Sequence, residues 1–97
     1  MDWNDHKNRK LVDAFLSLES RKEIQSFLRD LLTKNEIDEF ASRLKAAQML
    51  SDKIPYTTIQ RQTGLSSTTV ARVSKWPNRG NHGYKTVLDR LAYARKA

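Results

Sequence analysis

Pro55-Tyr56-Thr57-Thr58-Ile59-Gln60-Arg61-Gln62-Thr63-Gly64-Leu65-Ser66-Ser67-Thr68-Thr69-Val70-Ala71-Arg72-Val73-Ser74-Lys75-Trp76-Pro77 is the stretch on which the fold turns. Its apolar residues are few and regularly placed. Pro55 suits the start of a short helix with Ile59 facing inward, and Gly64 can take the positive φ that ends it. Leu65 plugs the corner, Ser66 caps the next helix, and Val70 and Val73 turn back inside. Pro77 terminates that second helix. Its remaining residues, Ser67, Thr68, Ala71, Arg72 and Lys75, fall on the faces flanking or opposing the buried one. Such a small, polar, basic face suits a helix lying in a major groove: small side chains permit close approach, hydroxyls read base edges, and Arg and Lys reach guanine or phosphate. A glycine between two helices occurs in many corners, but the joint spacing of Ile59, Gly64, Leu65, Val70 and Val73 is that of a helix-turn-helix. Gln60 stands where this motif usually holds a small residue facing the second helix, so its stem is expected to bend out toward a phosphate.

Charge singles out the same segment. The 97 residues carry 18 Lys+Arg and 11 Asp+Glu, a formal net charge of +7. Residues 1–55 hold ten basic and ten acidic side chains, whereas residues 56–97 hold eight basic ones against Asp89 alone. A neutral half beside a basic half is expected of a module that meets a polyanion, because each phosphate neutralised releases condensed counterions. A solvated basic surface without a partner has the same composition and is the plain alternative.

Upstream, apolar residues recur at helical spacing and nothing alternates as a strand would, so an all-α fold is expected. Leu11, Val12, Phe15, Leu16 and Leu18 stripe a first helix over about residues 5–19, whose polar first turn can fray. Ser20-Arg21-Lys22-Glu23 fits a capping box opening a helix over 21–32, striped by Ile24, Phe27, Leu28, Leu31 and Leu32. Thr33-Lys34-Asn35-Glu36 repeats that pattern, and Ile37, Phe40, Ala41, Leu44, Ala47 and Leu50 mark a third helix stopping near Asp52-Lys53. Beyond the turn-rich Asn78-Arg79-Gly80-Asn81-His82-Gly83, Val87, Leu88 and Leu91 stripe a last helix over 84–95, with Arg79 and Lys85 placed to touch backbone phosphates. Short helices joined by almost no loop cannot bury both sides of such stripes in so small a chain, which favours a second copy as cover; a compact monomeric bundle is the alternative. The expectation is a single domain over 1–97: dimerisation helices at 5–54, the helix-turn-helix at 55–77 and the terminal helix at 84–95.

Composition removes several classes. With no cysteine there is no disulfide framework and no thiolate zinc site, and His6 and His82 alone do not make a metal site. Gly80 and Gly83 match neither the P-loop nor the dinucleotide pattern, and no cofactor is expected. Asp30, Glu36 and Glu39 sit at helix starts or on solvated faces with no nucleophile–base pair, so no enzyme activity is expected. Met1-Asp2-Trp3-Asn4-Asp5 carries acids where a signal peptide wants positive charge, and no apolar run approaches the roughly 18 residues of a membrane span. A cytoplasmic protein with no membrane partner follows. A rival function is a protein-interaction adaptor whose basic half grips an acidic partner, with Trp76, Tyr84 and Tyr93 as aromatic anchors, although aromatics this close to helix ends are more often core or rim packing.

These residues resemble the Trp-repressor superfamily, and most of all its TrpR/YerC/YecD-like regulators. The resemblance covers about residues 31–91. It is carried by Leu32-Thr33-Lys34-Asn35-Glu36 leading to Arg43, by Ile59 through Arg72, and by Gly80-Asn81-His82-Gly83-Tyr84-Lys85. It implies an intertwined all-helical homodimer that places two recognition helices in successive major grooves of a double-stranded DNA operator, about 34 Å apart. It implies DNA contacts from Tyr56, Thr57, Gln60, Ser67, Thr68 and Ala71, with Lys75 at the far end of the recognition helix. It also implies a ligand site: Arg43 and Arg72 match the arginines that clamp the ligand in the tryptophan-sensing repressors, and Thr33 matches a residue lining that site. Val73 departs from the pattern, since the tryptophan-sensing branch has a glycine there that leaves a slot for the indole. The site is therefore expected to be vestigial and tryptophan not to be a corepressor, which shifts Arg72 toward a phosphate. Surface arginines pairing with acids or phosphates are the ordinary alternative for Arg43 and Arg72. The implied function is a sequence-specific transcriptional regulator, a repressor; the alternative is an adaptor with a basic surface and no specific DNA target.

Overall fold

Capping chemistry sets the helix boundaries. In the computed structural model, which describes residues 1–76 and 82–96 and side chains through residue 92, all regular structure is helical. The elements are α1 (His6–Leu16), α2 (Arg21–Leu31), α3 (Lys34–Ser51), α4 (Tyr56–Thr63), α5 (Ser67–Val73) and α6 (Gly83–Lys96). Asp5 caps α1 by accepting from the Lys7 amide at 3.1 Å, so the polar first turn that the sequence leaves free to fray is tied down. The helix stops at Leu16, three residues short of the expected Glu19. There the Ser17 hydroxyl donates back to the Ala14 carbonyl at 2.7 Å and closes the last turn on itself.

Both capping boxes form. At α2 the Glu23 amide donates to Ser20 Oγ at 3.1 Å, while the Glu23 carboxylate accepts from the Glu19 amide at 2.9 Å, one residue upstream of the cap. At α3 the exchange is reciprocal: the Glu36 amide donates to Thr33 Oγ1 at 3.1 Å and the Thr33 amide to Glu36 Oε1 at 2.9 Å. Leu32 is extended, so Leu32 and Thr33 alone form the corner between α2 and α3. At the other end of α3, Lys53 takes the left-handed conformation at φ 62°, with Ile54 N–H donating to Met49 O and Lys53 N–H to Leu50 O, each at 3.0 Å. This is a Schellman closure with lysine in the place glycine usually fills.

The chain divides into two compact units, Met1–Ile37 and Asp38–Ala97. In the first, none of the residues is buried; Phe15 of α1 meets Phe27 of α2 edge to face, with ring centroids 5.3 Å apart at 81°. The second has a core of Ala46, Ala47, Ile59, Val70 and Val73, the first four without solvent exposure. Met49, Leu50, Ile54, Leu65, Trp76, Tyr84 and Leu88 pack around it. The two alanines of α3 let α4 and α5 approach its backbone, so Ile59, Val70 and Val73, the inward residues read from spacing, meet there. No described helix is long and apolar enough to cross a membrane.

Candidate nucleic-acid interface

The corner between α4 and α5 is built as its residues require. Thr63 donates its hydroxyl to the Ile59 carbonyl at 2.7 Å and accepts from the Leu65 amide at 3.2 Å, tying both sides of the turn. Gly64 sits at φ 75°, ψ 5°, and its amide donates to the Gln60 carbonyl at 2.8 Å. A Cβ added at Gly64 would meet nothing within 4 Å, so its backbone conformation, not crowding, is what calls for glycine. Ser66 Oγ then accepts from the Thr69 amide at 3.1 Å and opens α5.

With Val70 and Val73 buried, the other side of α5 is left to solvent: Ser67, Thr68, Ala71 and Arg72 are exposed, and so is Lys75 just beyond the helix. On α4, Tyr56 and Thr57 are exposed and Gln60 is half-buried. The second helix is shorter than the spacing predicts. It ends at Val73, where Ser74 donates its hydroxyl to the Ala71 carbonyl at 2.6 Å and the Lys75 amide bonds to Arg72 O at 3.2 Å in a tighter turn. Lys75 thus lies past the helix end instead of on its last turn. Pro77, read as the terminator, and Arg79, read as a phosphate contact, lie outside the described residues. Lys85 is paired with Asp89, Nζ to Oδ2 2.8 Å, and this bond raises the Lys85 pKa.

Arg43, Arg72 and Val73 line one open cleft of about 730 Å³, together with Leu44, Trp76, Tyr84 and Val87. Val73 is 6% exposed and belongs to the core, as its inward register predicts. Arg43 donates to Glu39 Oε1 at 3.3 Å and lies over the Phe40 ring at 5.8 Å, the ordinary pairing with an acid; its Nε is out of solvent and has no acceptor among the described residues. Thr33, in the first unit, uses its hydroxyl to cap α3. Trp76 and Tyr84, for which the sequence leaves both a partner-anchoring and a packing role, pack against the core with ring centroids 6.0 Å apart. The signal for this was present: Trp76 follows Val70 and Val73 at the same three-residue step. The Tyr93 side chain lies outside those described.

An all-helical chain whose seven-residue helix, set by a left-handed glycine, turns a polar basic side outward belongs to the helix-turn-helix class. The family model for Trp repressor protein matches residues 6–92. The chain belongs to the Trp repressor family. It is 40% identical over 82 residues to the uncharacterised protein YerC of Bacillus subtilis, covering 84% of this chain and 79% of YerC. Its structure is similar to that of a TrpR-like protein from Eubacterium eligens, with a TM-score of 0.85, 36% identity and 93% of each chain covered. It is also similar to a candidate Trp repressor from Staphylococcus aureus, with a TM-score of 0.80 and 39% identity over 87% of this chain and 84% of that one.

Proposed function

We propose that this protein is a cytoplasmic, homodimeric, sequence-specific DNA-binding regulator, a repressor that works without tryptophan and has no enzyme activity. The observation that carries the reading is the division of α5, which buries Val70 and Val73 and leaves Ser67, Thr68, Ala71 and Arg72 to solvent in the half of the chain that holds all the net positive charge. Family membership supports the same reading. The homodimer is supported by the apolar side chains left exposed on α1, α2 and α3: Leu11, Val12, Phe15, Leu16, Ile24, Leu31 and Phe40 are each more than 40% exposed. Independence from tryptophan is supported by Val73, whose isopropyl group stands in the core beside the cleft that Arg43 and Arg72 line. The adaptor reading is weakened by the inward packing of Trp76 and Tyr84.

The test is titration of duplex DNA selected from a random pool, at two salt concentrations. Binding that weakens steeply with salt is expected, with two half-sites about 10 base pairs apart. Thr68→Ala is expected to relax sequence preference, whereas Lys75→Ala weakens all sequences alike and makes the salt dependence shallower. Binding that ignores salt, or salt-sensitive binding to a protein but to no duplex, overturns the reading.

A further inference from the structure

The helix offered to DNA cannot hold its own shape. α5 has seven residues, against the roughly 12–15 at which an isolated helix becomes even marginal in water. Its N-terminal end is fixed by the Ser66 cap and the Gly64 corner. Its C-terminal end has Arg72 in the last turn but no left-handed residue: Ser74 remains right-handed at φ −63°, ψ −14°, and its hydroxyl bonds back to Ala71. Whatever fixes that end, beside which Arg72 and Lys75 emerge, is tertiary packing.

The packing comes from a row of three. Val70 and Val73 are buried, and Trp76 continues their step beyond the helix, half-buried against the same core. Its indole meets Tyr84 near the start of α6, with centroids 6.0 Å apart and planes tilted by 58°. The indole Nε1 is out of solvent and finds no acceptor among the described residues, and the contact seen for the ring is the one with Tyr84. We propose that Trp76 is the positioning residue of α5: its ring, pinned against Tyr84, sets the C-terminal end of the DNA-facing helix from within the chain, with no small molecule needed. The consequence for DNA rests on the function proposed above; the pinning does not.

Amide hydrogen exchange on the full-length protein separates the two. In Trp76→Ala the amides of Ser74 and Lys75, bonded to Val70 and Arg72 at the C-terminal end of α5, are expected to exchange about tenfold faster, while those of Ala46 and Ala47 in α3 keep their rates. Trp76→Phe, which keeps a ring and drops the indole N–H, is expected to retain slow exchange. Tyr84→Ala is expected to reproduce the local acceleration with Trp76 in place, and it carries the test with Trp76→Phe should Trp76→Ala not fold. Unchanged α5 exchange in Trp76→Ala or Tyr84→Ala, acceleration shared equally with α3, or a Trp76→Phe protein that exchanges fast would overturn the proposal. On a selected duplex, Trp76→Ala is expected to lose about tenfold in affinity while changing little on a scrambled one, because non-specific binding does not need a set helix. Absence of any duplex binding by the wild type refutes the function proposed above and leaves the exchange result to judge Trp76.

Discussion

The unit Met1–Ile37 and the unit Asp38–Ala97 use hydrophobic residues in opposite ways. The first stripes α1 and α2 with large apolar side chains yet buries none of them: Phe15 keeps 42% of its surface exposed and Leu16 77%. The second is sparser between Tyr56 and Val73, yet takes Ile59 and Val70 fully out of water. A strong helical stripe is therefore a poor guide to what is covered within one chain. Where a corner such as Thr63-Gly64-Leu65 folds one short helix back on another, two or three apolar residues find cover at once. Where long stripes run on helices joined by Leu32 and Thr33 alone, they stay exposed, and the homodimer proposed above would supply their cover.

Ile59→Ala is expected to have the largest effect, a loss of about 3 kcal/mol in urea unfolding, because it opens a cavity in a site with no exposure. Phe15→Ala comes next and reports on the exposed face of the first unit. A ring covered by a second copy is worth about 2–3 kcal/mol on truncation, and the unfolding midpoint should then depend less on protein concentration in the variant than in the wild type. A loss of no more than about 1 kcal/mol, the worth of the edge-to-face pair with Phe27 alone, would show that face to be solvated. Gly64→Ala is smaller again, about 1 kcal/mol, since the φ of 75° costs an L-residue strain while the new methyl meets no neighbour. A larger loss, read from the same denaturant curves, would mean that the corner is more tightly packed than its geometry indicates.

What could be read in the sequence divides along similar lines. Ser20 with Glu23 and Thr33 with Glu36 were legible because a capping box is a local bargain between side chain and backbone. Gly64 was legible because only its backbone freedom suits that corner. The ends of α1 and α5 were not. Ser17 and Ser74 each turn a hydroxyl back onto the preceding turn, and spacing says nothing about that competition. The inward packing of Trp76 was only half legible: its register with Val70 and Val73 is in the sequence, but its contact with Tyr84 depends on how the chain returns after residues 77–81. Arg43, Arg72 and Val73 do line one cleft, while Thr33 spends its hydroxyl on α3.

That last commitment gives the smallest effect and a test with a definite sign. Glu36 accepts from the Thr33 amide, and this bond first, then the one to the Thr33 hydroxyl, holds its carboxyl below the usual glutamate range. A carboxyl with a lower pKa folded than unfolded stabilises the fold above its unfolded value, near 4.3, and that contribution drains away as pH falls through the folded value. Wild type minus Glu36→Gln, followed by urea midpoints from about pH 6 to pH 3, is therefore expected to be level at the upper end and to fall below about pH 5. Lys85, whose pKa Asp89 raises, has the opposite sign: its contribution persists below the ordinary lysine value, about 10.4, and is lost only above it, so it cannot imitate the acid slope. A flat difference would mean that the box at α3 is open in solution and that the Thr33 hydroxyl is at liberty for the ligand-lining role the resemblance assigns it.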